Sequence, residues 1–116
     1  MKTLFILNDP PYGTERSYNG LRLANALAKR EGEEVRVFLM GDGVACAVSG
    51  QKTPNGYYNI ERMLKGCARH GIEVACCGSC LDARGIGDDR IVEVARRSSL
   101  EELADWTRWA DEVVVF

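Results

Sequence analysis

The feature that most constrains the fold of this chain is a regular alternation of short apolar runs with segments of helical periodicity. Five runs have the length and composition of strands, at residues 3–7, 35–40, 72–76, 91–94 and 113–116. The first run is continuously apolar, which is typical of a strand covered on both faces. Because the connections between these elements are short, the pattern predicts one parallel sheet with helices on both faces.

Four segments between these runs carry helical signals. Residues 15–30 are good helix formers with an apolar stripe, and residues 44–48 form a short helix after a glycine turn. Asn59 is placed to cap a helix that ends at Gly71. The core face of that helix repeats at helical spacing, through Ile60, Met63, Leu64, Cys67 and Ala68. Ser99 and Glu102 form a capping box ahead of the last helix.

Size, charge and cysteine count limit the class of protein. The chain has 116 residues, of which 46% are hydrophobic and 28% charged, and this predicts one soluble domain over residues 1–116. A net charge of −2 provides no field to attract nucleic acid or an anionic membrane, so we expect neither as a partner. Without a membrane-length apolar run or a secretory signal, the expected location is the cytoplasm. Five cysteines, an odd number, disfavour a disulfide framework.

The pair Cys77 and Cys80 is the strongest indication of chemistry, because two thiols stand three positions apart where the third strand gives way to a loop. Arg84 follows closely, and a short helix beginning near Asp82 would direct free N–H groups toward Cys80. Both influences stabilise a thiolate. Cys80 lies outside the strand and is the predicted nucleophile, while Cys77 ends the strand and is the predicted resolving thiol.

The remaining cysteines and the single histidine are expected to be structural. Cys67 lies on a core-facing helix stripe, Cys76 inside a strand and Cys46 in the short helix, which are positions typical of small buried hydrophobes. A zinc site requires four nitrogen or sulfur ligands, and only His70 and Cys76 stand near the pair, so we expect no metal. His70 should lie at the opposite end of the third strand, too far away to be the base of a Cys–His hydrolase.

The predicted loops at residues 8–13, 41–43 and 77–84 should meet beyond the carboxyl ends of the strands, where open α/β sheets bind their ligands. Residues 8–13 and 41–43 each precede a helix and could present N–H groups to an anion. The candidate ligand-binding residues are Asn8, Tyr12, Gly13, Gly41 and Asp42. A rigid turn at residues 8–13 and a helix cap at Asp42 are the structural alternatives. Since neither a dinucleotide nor a phosphate-loop motif is present, we expect no cofactor.

Several short motifs follow one another along the chain: Pro11-Tyr12-Gly13, Phe38-Leu39-Met40, Gly50-Gln51-Lys52, Gly56-Tyr57, Asn59-Ile60, Met63-Leu64, Cys77-x-x-Cys80, Arg84-Gly85-Ile86 and Ala110-Asp111-x-Val113-x-x-Phe116. Their order and spacing resemble the DsrE/DsrF-like family, most closely its YchN-type branch. The resemblance implies a three-layer α/β/α sandwich with a five-stranded parallel sheet, and assembly as a homo-oligomer, either a trimer or a hexamer. It also implies that Cys80 matches the cysteine that receives sulfur as a persulfide in relay members.

Three functional hypotheses follow. The leading one is a cytoplasmic sulfur carrier of the sulfurtransferase type, in which Cys80 takes sulfur from a donor protein and passes it to an acceptor protein or small thiol, with Arg84 stabilising the anionic forms. Relay members use the counterpart of Cys80 alone, so the additional Cys77 introduces a second hypothesis, a thiol–disulfide redox switch. The third is a non-catalytic oligomeric module that binds a small ligand at the rim.

Overall fold

A computed structural model describes residues 1–55 and 58–116 of the chain. The described residues form five strands, β1 (Lys2–Leu7), β2 (Glu34–Leu39), β3 (Glu73–Cys77), β4 (Ala95–Ser98) and β5 (Glu112–Val115). They also form four α-helices, α1 (Arg16–Ala28), α2 (Ile60–Arg69), α3 (Gly78–Ala83) and α4 (Leu100–Trp109), and two 3₁₀ segments, Gly41–Ala47 and Asp88–Arg90. The Gly56-Tyr57 motif of the family resemblance lies outside the described residues.

The five strands are all parallel and lie in the order β4-β3-β2-β1-β5. In the register, Leu7 pairs with Leu39, and Leu39 pairs in turn with Cys76. Since these strands end together, the segments that follow β1, β2 and β3 leave the sheet at one edge. The five-stranded parallel sheet expected above is confirmed.

Helices cover both faces of this sheet, because successive side chains of each strand point to opposite sides. On one side the Leu7 side chain lies against Gly20 of α1. On the other side Trp106 of α4 meets Phe38 edge-on, with the ring centroids 6.1 Å apart. The result is the expected three-layer α/β/α sandwich. No helix within residues 1–55 or 58–116 has the length and apolar character needed to cross a bilayer.

Both predicted helix caps are present. The Asn59 side chain accepts the N–H of Arg62 at 3.1 Å, and Ser99 Oγ accepts the N–H of Glu102 at 3.2 Å. The short helix predicted at residues 44–48 is instead part of the 3₁₀ segment Gly41–Ala47, which starts immediately after β2. This tighter winding suits a segment that must turn sharply beneath the end of β1.

The fourth strand was predicted at residues 91–94, and this is wrong, since β4 spans Ala95–Ser98. Val92 is buried, and its N–H donates to the Ala47 carbonyl at 2.8 Å. The segment around it therefore packs against the rest of the protein without being one of the five strands. β4 is an edge strand, so it tolerates the exposed residues Arg96 and Arg97. Because these residues are charged, the strand does not stand out as an apolar run in the sequence. The apolar signal therefore came from a packed loop.

Arg96 of β4 anchors the start of α4 through Glu102. Its Nη1 and Nη2 atoms donate to the two carboxylate oxygens of Glu102 at 2.6 and 2.8 Å, and Ser98 Oγ donates to the same carboxylate. Hydrogen bonds from Arg96 and then from Ser98 hold the pKa of Glu102 at about 2, below its ordinary value of 4.5. The carboxylate is thus bound in its charged form.

We expect Glu102→Gln to lower the free energy of unfolding at pH 7 by about 1 kcal/mol, a modest value because water screens this half-buried pair. A carboxyl whose pKa is lower in the folded protein stabilises it above the unfolded pKa and loses this contribution as the pH falls. The difference between variant and wild type should therefore shrink below pH 4.5, toward about 2, the folded pKa. Urea titrations followed by tryptophan fluorescence measure it.

The matched control is Glu101→Gln, because Glu101 is an exposed carboxylate at the neighbouring position of the same helix. It should change stability little across this pH range. A Glu102→Gln deficit that is equally large at pH 7 and at pH 3 would contradict the assignment.

Candidate functional site

The two thiols of interest lie where β3 turns directly into α3. Cys77 is the last residue of the strand and also the N-cap of the helix, and its Sγ accepts the N–H of Cys80 at 3.3 Å. The helix begins at Gly78, so the start proposed near Asp82 is wrong. Because there is no loop between strand and helix, Cys80 lies within the first turn, and the capping contact is made by Cys77.

The structure joins Cys77 and Cys80 in a disulfide, with their Cα atoms 5.2 Å apart. This separation lies within the range that a disulfide allows without backbone movement. Cys77 is 7% exposed, whereas Cys80 is half-buried. Of the two sulfur atoms, the one at Cys80 is therefore the more open to a molecule arriving from outside.

The loop after β2 supplies the polar contact of Cys80. The backbone N–H of Gly41 donates to Cys80 Sγ at 3.2 Å, and Gly41 has the left-handed φ of +57°. Two residues later, a Cβ at Gly43 would lie only 2.1 Å from the Leu7 carbonyl oxygen. Glycine at both positions lets the loop pass under β1 and aim this N–H at the sulfur. A donor so placed favours the thiolate of Cys80 over the thiol.

Arg84 at the end of α3 forms an ion pair with Asp42 in the 3₁₀ segment after β2. The Nη2 and Nε atoms of Arg84 donate to Asp42 Oδ1 at 2.8 and 3.0 Å, and its Nη1 donates to the Cys80 carbonyl at 3.1 Å. The guanidinium thus binds the Asp42 carboxylate and the Cys80 carbonyl oxygen rather than the Cys80 sulfur. The sequence grouped Arg84 with the thiols and Asp42 with a ligand site, and the structure brings both to one place.

The other candidate ligand residues lie further along the rim. Asn8 donates its backbone N–H and its side-chain amide to the Phe116 carbonyl, at 2.9 and 3.3 Å. The Tyr12 hydroxyl donates to Gln51 at 2.6 Å and accepts the N–H of Ile60 at 3.2 Å. Tyr12 and Gly13 line an open cleft of about 330 Å³ whose other walls are Pro11, Thr14, Glu15 and Tyr58. The predicted set therefore divides: Gly41 and Asp42 lie at the thiol pair, Tyr12 and Gly13 line the cleft, and Asn8 bonds to the end of the chain at Phe116.

Known proteins are similar to this chain over its whole length. The sequence matches the DsrE/DsrF-like family over residues 1–116. The chain belongs to this family. It is 40% identical over 116 residues to the protein YchN of Escherichia coli strain K12, an alignment that covers 99% of this chain and 98% of that protein.

Further similarities place the chain in the YchN-type branch. The crystal structure of YchN from E. coli superimposes with a TM-score of 0.90 at 39% identity and covers 100% of both chains. The uncharacterized protein MK0008 of Methanopyrus kandleri is 37% identical over 111 residues, covering 96% of this chain and 90% of that protein. The resemblance read from the motifs is thus confirmed for both the family and the branch.

Arg97 also belongs to the site, although the sequence did not predict it, because it hydrogen-bonds to the first turn of α3. Its Nη1 donates to the Gly78 carbonyl and to Asp82 Oδ1, both at 3.1 Å. A Cβ at Gly78 would lie 2.8 Å from the Ser98 carbonyl oxygen, so β4 packs directly against the thiol turn. The misplaced fourth strand left Arg97 outside the sheet. The glycine between the two thiols is the sequence signal that a neighbouring strand packs closely there, because glycine allows close backbone approach. That strand is the one that carries Arg97.

The three remaining thiols are buried, as the sequence predicts. Burial raises the pKa of the Cys46 and Cys67 thiols to about 11 and that of the Cys76 thiol to about 12. His70 caps the end of α2, with Nδ1 at 2.8 Å from the Asn25 side-chain oxygen. Within the described part of the chain, no three His, Cys, Asp or Glu residues cluster as metal ligands do.

Proposed function

We propose that this protein is a cytoplasmic persulfide carrier of the sulfur-relay type, in which Cys80 receives, holds and passes on one sulfur atom. The observation that carries the proposal is the environment of Cys80, which is half-buried at the edge of the sheet and whose Sγ accepts the Gly41 N–H at 3.2 Å. Membership of the DsrE/DsrF-like family, which is associated with sulfur relay, supports the same function.

The reaction begins once the Cys77–Cys80 disulfide has been reduced. The Cys80 thiolate attacks the outer sulfur of a donor persulfide, so that a bond forms between the two sulfur atoms. The bond to the donor's inner sulfur breaks, and the donor leaves as a thiolate that takes a proton from water. An acceptor thiolate then attacks the outer sulfur on Cys80 and regenerates the free Cys80 thiolate. No net oxidation occurs in either transfer.

Each neighbour of Cys80 has a part in this scheme. The Gly41 N–H stabilises negative charge on Cys80 Sγ, both before loading and when the sulfur leaves. The ion pair of Arg84 with Asp42 joins the Gly41 segment to the end of α3. The other thiols do not compete, because pKa values of about 11 to 12 leave Cys46, Cys67 and Cys76 protonated at neutral pH.

The first test is sulfur loading of the Cys77→Ser variant, in which no second thiol can remove the cargo. The reduced variant is mixed with glutathione persulfide, desalted and weighed intact. We expect a mass increase of one sulfur atom per chain, mapped to Cys80. The double variant Cys77→Ser/Cys80→Ser should gain none, whereas the control Cys77→Ser/Cys67→Ser should load normally. Absent loading, or loading that survives Cys80→Ser, would contradict the carrier function.

A thiol–disulfide redox switch is the second candidate, and the disulfide between Cys77 and Cys80 favours it. We propose for this function a two-electron exchange between the pair and cellular thiols. Redox titration in glutathione buffers should give a midpoint between about −180 and −320 mV, the span of cellular thiol pools. A pair that stays reduced in oxidised glutathione would exclude the switch and leave the carrier, which uses Cys80 alone, unaffected.

We further propose that the chain assembles with copies of itself as a trimer or hexamer, as the family resemblance implies. The edge strand β5 supports this assembly, because Val113 and Val115 are 42% and 62% exposed on a strand with one unpaired side. Light scattering at micromolar concentration should give three or six chain masses. A monomeric mass would refute the assembly.

A further inference from the structure

We propose that Cys77 discharges the sulfur held on Cys80 as hydrogen sulfide, so that the protein acts as a persulfide reductase when no acceptor is bound. This inference rests on the proposed persulfide on Cys80 and goes beyond sulfur transfer, because the cargo leaves as sulfide and the protein is oxidised. It gives the second thiol of the pair a chemical role of its own.

The position of Cys77 suits attack on Cys80 and little else. The two sulfur atoms form a disulfide in the structure, so Cys77 Sγ reaches Cys80 Sγ with the backbone as it stands. At 7% exposure, Cys77 is poorly placed to meet a donor or acceptor protein. Its accessible electrophile is therefore the inner sulfur of a persulfide carried by Cys80, at the opposite end of one helical turn.

Two contacts prepare Cys77 as the attacking thiolate. Its Sγ accepts the N–H of Cys80 at 3.3 Å, and the Ser79 hydroxyl oxygen lies 3.3 Å away and can donate to it as well. Hydrogen bonds to the charged form of a thiol favour its ionisation. The buried cysteine next in the chain, Cys76, has its thiol pKa raised to about 12 by burial. The contacts thus distinguish Cys77 from its immediate neighbour.

The discharge step is balanced within the chain. The Cys77 thiolate attacks Cys80 Sγ, and a bond forms between the two cysteine sulfurs. The bond between Cys80 Sγ and the outer sulfur breaks, and its electron pair leaves with the outer sulfur as hydrosulfide. With the proton released earlier by Cys77, the products are the disulfide and one molecule of hydrogen sulfide. The sulfane sulfur is reduced and the two cysteines are oxidised.

A second cycle needs a thiol reductant, and the more exposed sulfur is the one that receives it. An external thiolate attacks Sγ of the half-buried Cys80 and displaces Cys77, whose leaving thiolate keeps its two hydrogen-bond contacts. A second equivalent of thiol then removes the first from Cys80 as a low-molecular-weight disulfide. The complete cycle consumes one persulfide and two thiols, and it yields the donor's thiol, hydrogen sulfide and a disulfide.

The experiment is a single turnover without added reductant. Reduced wild-type protein receives one equivalent of glutathione persulfide, released sulfide is measured against a protein-free blank, and the chain is weighed intact. We expect one sulfide per chain and a mass lower by two hydrogen atoms, with no sulfur retained. Cys77→Ser should keep the sulfur and release no more sulfide than the blank. The control Cys76→Ser, which removes the adjacent buried thiol, should behave as wild type.

The outcomes separate the two proposals. Sulfide release from Cys77→Ser equal to that of wild type, or a wild-type chain that retains its sulfur, overturns the discharge by Cys77. Failure of Cys77→Ser to take up any sulfur instead overturns the carrier function itself. Intact mass also distinguishes the internal disulfide from a glutathione adduct on Cys80, and finding only that adduct in wild type overturns the internal step.

Discussion

The register between β2 and β3 is the constraint on which the candidate site depends. Leu39 pairs with Cys76, so β2 ends beside the point where β3 turns into α3. The backbone of Gly41 thereby lies against the thiol pair and donates its N–H to Cys80. A slip of one residue would turn Cys76 and Cys77 to exchanged faces of the sheet and separate this donor from its sulfur.

In this arrangement the two cysteines differ in exposure and in the hydrogen bonds that their sulfur atoms accept. Cys77 is enclosed and receives its hydrogen bonds from its own turn, whereas Cys80 is half-open and receives one from a different loop. A carrier needs an outward sulfur that partners can reach, and discharge needs an inward thiol that they cannot. The ion pair of Arg84 with Asp42 is exposed and contributes little to stability, and it links the end of α3 to the segment after β2.

Much of this could be predicted from the sequence, because the signals were local. The caps at Asn59 and Ser99 are read from side chains that bond to backbone three residues away, and the thiol pair is visible by its spacing. The fourth strand could not be placed in this way. Its apolar neighbour Val92 is buried outside the five strands and bonds to the Ala47 carbonyl, while the strand itself carries arginines whose partners lie on other elements. Hydrogen bonds between a strand and distant elements produce no periodic pattern in the sequence.

What the sequence determined by itself is the alternating α/β order, the spacing of the cysteine pair and its attachment to the end of β3, since these follow from periodicity and residue type. Only the tertiary structure decided which thiol is enclosed, which backbone N–H meets Cys80, and that Arg84 binds Asp42 rather than a sulfur. These contacts join residues about 40 positions apart, as the separations of 39 and 42 for Gly41–Cys80 and Asp42–Arg84 show. Chain folding brings such groups together through strand pairing, which no local pattern encodes.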